Sequence, residues 1–126
     1  MPARVVDASA LAAVLFGEPE GERVAKALGS GPLLVPTLLR YEIANVALTK
    51  IRRHPEARSA MLRALALFPR LDVREVAVPA AEVTELAEEN GLSAYDAAYL
   101  WLARTLGIEL VTLDARLRSV APGRGV

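Results

Sequence analysis

A strand and helix alternation from Arg4 to Val120 predicts an α/β domain with a mainly parallel sheet. Three observations carry it. Short apolar runs, Arg4-Val5-Val6 and Leu33-Leu34-Val35 among them, are each followed by helical spacing. Glycine and proline cluster between the periodic segments, as at Gly29-Ser30-Gly31-Pro32. Hydrophobic residues make up 53% of 126 positions, enough for one sizeable core, so residues 1–126 are expected to form a single domain.

Taken in order, Arg4-Val5-Val6 reads as a buried strand and Asp7 to Leu15 as the helix it feeds. Gly17 to Gly21 interrupts the pattern, and a second helix runs to Leu28. Leu33 to Val35 is the second strand, and helical spacing returns from Thr37 to Arg53. His54-Pro55 marks a boundary before a helix over Ala57 to Phe68. Leu71-Asp72-Val73 is a weak third strand ahead of Pro79. Ala80 to Asn90 carries Glu82, Glu85, Glu88 and Glu89, the solvated face of a surface helix. The next helix, between Gly91 and Ile108, holds only two charges, Asp96 and Arg104, and so is buried on most of its circumference. Glu109 to Leu113 is the fourth strand, Ala115 to Val120 a short helix, and Pro122 onward a coil.

Charge and composition exclude several classes. Fifteen basic and fifteen acidic residues leave no global field to steer a polyanion or a membrane surface. Without cysteine there is no disulfide and no thiolate metal site. No uncharged run approaches the roughly 18 residues of a membrane span, and the N-terminus lacks a signal-peptide pattern, so a cytoplasmic location is expected. Lys50, Arg52, Arg53, His54, Arg58 and Arg63 form the one basic concentration, which reads first as a solvated helix face and second as a contact for RNA phosphates.

The acids are distributed more tellingly. Asp7 and Asp114 each follow a strand, which puts both at the carboxyl edge of a parallel sheet. The helix bearing Asp96 near its start precedes a strand and runs antiparallel to it, so Asp96 reaches the same edge. Glu42 lies less than two turns into a helix that leaves a strand, and its neighbours three and four residues away include Leu38, Leu39 and Val46. Helix capping explains Asp7, Asp96 (through Ser93) and Asp114 one at a time. It does not explain Glu42, or why three of the chain's four aspartates meet on one rim.

Ligands of open α/β sheets bind at that rim. Several carboxylates there repel one another, and a hard divalent cation with oxygen ligands, Mg²⁺ or Mn²⁺, relieves the repulsion. Such a cation activates water and stabilises charge in a phosphodiester displacement.

Val5-Val6-Asp7-Ala8-Ser9-Ala10-Leu11, Tyr41-Glu42-Ile43-Ala44-Asn45, Leu92-Ser93-Ala94-Tyr95-Asp96-Ala97-Ala98-Tyr99 and Thr112-Leu113-Asp114 together resemble the motifs of PIN-domain ribonucleases. Their order and spacing are similar to those of VapC-type toxins of toxin–antitoxin systems. The resemblance implies a three-layer α/β/α sandwich with a central sheet of four to five strands, the first and fourth side by side. It implies an acidic metal site of Asp7, Glu42, Asp96 and Asp114 for Mg²⁺ or Mn²⁺, with Asp7 and Asp96 foremost as direct ligands. Ser9, Asn45 and Thr112 would support it, while Tyr95, Tyr99 and Trp101 are read as packing. Metal-dependent cleavage of RNA, a small VapB-type antitoxin and a homodimer are the corresponding activity and partners. The family's last strand, after the helix that follows Asp114, is expected to be short or missing. Competing readings are a catalytically silent binding module, a stand-alone RNA-processing nuclease and an aspartyl-phosphate protein. The last lacks both a second acid two residues after Asp7 and a lysine after a later strand.

Overall fold

The computed structural model describes residues 2–123. Four parallel strands, β1 (Arg4–Val6), β2 (Leu33–Pro36), β3 (Val73–Val76) and β4 (Leu110–Val111), form one sheet in the order β3-β2-β1-β4. The chain steps outward from β1 through β2 to β3, then crosses back to place β4 on the free side of β1. Strand order therefore reverses between β1 and β4.

Helices α1 (Ala8–Leu15), α2 (Gly21–Leu28) and α3 (Leu39–Arg53) form one packed group, with α4 (Arg58–Leu65) against α3. A second group has α6 (Ala94–Leu106) at its centre, touching β1, β2 and β4 and flanked by α5 (Ala80–Asn90) and α7 (Ala115–Val120). This is the three-layer arrangement expected. Both groups press on the sheet through one core that includes Val5, Val6, Leu11, Val35, Leu39, Ile43, Leu100 and Leu102. Six of the thirteen α6 residues are buried, because the helix lies across the middle of the sheet. No helix is long and apolar enough to cross a membrane among the described residues.

Three details differ from the sequence expectation. The third strand lies at Val73–Val76 rather than over residues 71–73. As an edge strand with one neighbour, it alternates half-buried Val73 and Val76 around exposed Arg74 and Glu75, instead of forming an apolar run. The helix expected over residues 57–68 is α4 between two 3₁₀ turns, Pro55–Ala57 and Phe68–Arg70, each with a proline in its first positions. The fourth strand pairs only over Leu110 and Val111, because the Thr112 and Leu113 segment turns to meet the N-terminus of α1. Among the described residues no strand follows α7. A backbone bond from the Leu110 N–H to the Pro122 carbonyl, 3.2 Å, covers the free edge of β4 instead, and residues 124–126 lie outside the described part.

Gly21 shows how tightly α1 and α2 are joined. A Cβ at this position would stand 2.6 Å from the Ala13 carbonyl oxygen. Gly21→Ala is therefore expected to lower unfolding free energy in urea by about 1–3 kcal/mol, whereas an alanine that fits without strain would stabilise a helix.

Candidate active site

The carboxyl edge at the β1/β4 switch point is built from caps. Asp7, the residue after β1, adopts extended backbone and caps α1, its Oδ1 accepting the Ala10 amide N–H at 3.1 Å. The same oxygen accepts the Ser9 hydroxyl at 2.7 Å, and Oδ2 accepts the Thr112 hydroxyl at 2.6 Å. Each hydroxyl is used twice. Ser9 also accepts the Leu113 N–H at 3.1 Å, and Thr112 accepts the Asp114 N–H at 3.0 Å. Asp7 is 4% exposed and Thr112 wholly buried, so these bonds replace water around a buried carboxylate.

Asp114 caps α7 through Oδ1 and the Leu117 N–H at 2.9 Å, and is exposed. Ser93 caps α6 by accepting the Asp96 N–H at 3.1 Å, which fixes the helix end that carries Asp96. The capping readings of Asp7 and Asp114 hold, and of the Ser93–Asp96 box the half in which Ser93 accepts the Asp96 N–H is formed, so three of the four acids stand at capped helix starts.

Glu42 enters from the first turn of α3 and is half-buried. Its Oε1 accepts the Tyr99 hydroxyl at 2.5 Å. Tyr99, read from sequence as packing, is 1% exposed and stands one turn beyond Asp96 on α6. A buried tyrosine needs a partner for its hydroxyl, and its place one turn from Asp96 was a signal that the ring lies near the site.

Electrostatics ties the four acids together. Burial pushes the Asp7 carboxyl above its ordinary value, opposed by its bonds to Thr112, Ser9 and Ala10 and reinforced by the charge of Asp96. Burial likewise raises Glu42, with the Tyr99 bond opposing and the charges of Asp7 and Asp96 adding. Asp96 is raised by burial and by Asp114, against the Ser93 hydroxyl and the positive charge of Arg116. Arg116 is exposed and was not singled out in the sequence. Among the described residues it is the one basic side chain whose charge acts on these raised carboxylates.

The donor set suits a hard divalent cation: four carboxylates from four segments, no histidine, and two hydroxyls already orienting one of the acids. Among the described residues no three of the acids are grouped closely enough to hold an ion together. A cation such as Mg²⁺ keeps several waters and needs only one or two direct carboxylates.

The remaining expected residues are placed as follows. Ser9 and Thr112 belong to the Asp7 network. Asn45 does not. It is exposed one turn past Glu42, in a shallow groove with Leu38, Tyr41, Glu42 and Tyr95. Tyr95 is 66% exposed rather than packed, and the Trp101 indole N–H reaches Glu82 at 3.3 Å. In the basic concentration, Lys50 pairs with Glu18 at 2.9 Å and His54 lies 3.5 Å from Glu56. Arg52, Arg53, Arg58 and Arg63 are exposed, as a solvated face requires.

Residues 4–122 match the family model described as PIN domain. The chain is 34% identical to Ribonuclease VapC3 of Pyrobaculum aerophilum over 123 residues, 94% of each chain. Identity to Ribonuclease VapC9 of Mycobacterium tuberculosis is also 34%, over 113 residues, 90% of this chain and 87% of the relative. Among solved structures, PAE2754 from Pyrobaculum aerophilum superposes with a TM-score of 0.77 at 30% identity, over 98% of this chain and 89% of that one. Mycobacterium tuberculosis VapC20, described as a sarcin-ricin loop cleaving toxin, shares the fold with a TM-score of 0.65 at 20% identity, over 92% and 93% of the two chains. With four acids at the switch point of a β3-β2-β1-β4 sheet and this likeness along nearly its whole length, the chain belongs to the PIN-domain family and, within it, to the VapC ribonucleases.

Proposed function

We propose that the protein is a metal-dependent endoribonuclease and the toxin of a VapBC-type pair, with Asp7, Glu42, Asp96 and Asp114 holding Mg²⁺ or Mn²⁺. One observation supports this most: at a ligand-binding edge Asp7, Glu42 and Asp96 have their proton affinity raised, by burial first and by neighbouring acids second, and among the described residues an exposed arginine is the one positive charge set against them. A bound cation would supply the missing positive charge and activate water against an RNA phosphodiester.

The chain's own residues prepare that chemistry. Ser9 and Thr112 hold the Asp7 carboxylate in one orientation, and the Ser93 cap fixes the start of α6 so that Asp96 faces the same opening. Glu42 keeps Oε2 free of hydrogen bonds among the described residues. Asn45, on the rim, is suited to contact RNA rather than to orient an acid. The exposed Tyr41 and Tyr95 rings share a groove with Glu42, which supports docking of an antitoxin tail across the opening. A homodimer is the family's assembly, and we carry it over on that basis.

Cleavage of a mixed RNA substrate should appear with Mg²⁺ or Mn²⁺ and vanish in excess EDTA. Equal cleavage in EDTA would overturn the metal-dependent reading. When the protein is isolated from its native host, a small antitoxin chain should accompany it. Repeated isolation as a lone active nuclease would favour a role in RNA processing.

A further inference from the structure

Tyr99 is the only member of the acid cluster's surroundings that reaches Glu42 with a hydrogen-bond donor among the described residues. It sits on α6, one turn from Asp96, while Glu42 sits on α3 in the other helical layer. The 2.5 Å bond therefore spans the two layers at the carboxyl edge, joining the elements that carry two different site acids. The ring is held on every side, at 1% exposure, so the hydroxyl has little freedom to turn elsewhere. A phenol is also suited to the task, because it brings a single O–H donor on a rigid ring.

We infer that Tyr99 is a positioning residue for Glu42: its hydroxyl engages Oε1, setting the carboxylate's rotamer and leaving Oε2 as the oxygen that serves the metal site. The inference rests on the metal-dependent reading above and assigns Tyr99 no contact with RNA or cation. Fixing a ligand through an outer partner in this way typically contributes 10–100-fold in metal affinity or activity.

The test compares wild type, Tyr99→Phe, Glu42→Gln and the double variant. Mn²⁺ affinity is measured by calorimetry, kcat and KM on one RNA, and melting temperature without metal. Phenylalanine fills the same space, so a purely structural role predicts unchanged Mn²⁺ affinity and kcat. The positioning role predicts roughly 10-fold weaker Mn²⁺ binding and a 10–100-fold lower kcat, with KM for RNA within about twofold. The double variant should be no worse than Glu42→Gln, since both changes act through one carboxylate.

Wild-type affinity and kcat in Tyr99→Phe, or losses that simply multiply in the double variant, would overturn the inference while leaving the nuclease reading intact. A wild-type protein that neither binds Mn²⁺ nor cleaves would overturn both. A second measurement needs no change at Tyr99. Its hydroxyl proton should be slow to exchange and visible by NMR in wild type, and should shift in Glu42→Gln. Rapid exchange of that proton would contradict the bond itself.

Discussion

Asp7→Asn is expected to abolish RNA cleavage in a protein that still folds, with a loss beyond the 10–100-fold typical of outer-shell partners. Asparagine is a good N-cap, and its Oδ1 can keep the Ala10 N–H and the Ser9 hydroxyl. The new amide then faces Thr112, whose hydroxyl has a second lone pair to accept it beside the Asp114 N–H.

The same substitution removes a buried charge whose ionisation works against the metal-free fold. Asp7, Glu42 and Asp96 all titrate above their ordinary values of 3.8, 4.5 and 3.8 in the folded protein, so there the folded state holds more protons than the unfolded one. Their contribution to stability is thus fully present below those ordinary values and is lost as pH rises through the elevated folded ones. Metal-free wild type should accordingly gain stability from these three groups on acidification from neutral toward pH 4.5. Asp7→Asn should show a shallower slope in urea unfolding across that range. A steeper slope, or a fold that weakens on mild acidification because of these groups, would contradict the account.

Thr112→Val should give the largest loss of stability among the polar substitutions at the site. Valine matches the shape but removes a donor to Asp7 and an acceptor for the Asp114 N–H, inside a wholly buried position. A hydrogen bond to a charged group contributes about 1.5–3 kcal/mol, and an orphaned buried group costs further. A drop of roughly 2–4 kcal/mol in urea unfolding is expected, with a 10–100-fold loss of cleavage. Thr112→Ser keeps both bonds and should cost about 1 kcal/mol for the missing methyl. If valine and serine behave alike, the hydroxyl does not support Asp7.

The fold was legible where local chemistry and tertiary context agree. Strands β1 and β2 are short apolar runs with clear punctuation, and α5 and α6 end at glycines, as the spacing requires. Gly91, at φ +63, lets the chain reverse between those two helices. Strand β3 was displaced because an edge strand needs only two half-buried valines, a pattern that its flanking charges disguise.

The acids were legible from topology. Asp7, Asp96 and Asp114 occupy element junctions, and their delivery to one edge follows from the direction of each helix and strand. What sequence could not resolve was the second partner of each group. Ser9 and Thr112 are separated by 103 positions yet share Asp7, because β1 and β4 are neighbours. Tyr99 looked like packing because its ring is packed, and only the paired α3 and α6 geometry reveals the hydroxyl's destination. Asn45, placed by resemblance among the supporting groups, lies outside the Asp7 network because the next turn of α3 carries it to the surface.

The central claim is that these four carboxylates form one cation site. Mn²⁺ titration followed by electron paramagnetic resonance tests it most directly, comparing wild type with Asp7→Asn, Asp96→Asn and the surface control Glu88→Gln. Wild type and the control should take up Mn²⁺ with the same affinity, and both site variants should bind at least tenfold more weakly. Equal uptake by all four proteins, or none by wild type, would contradict the claim.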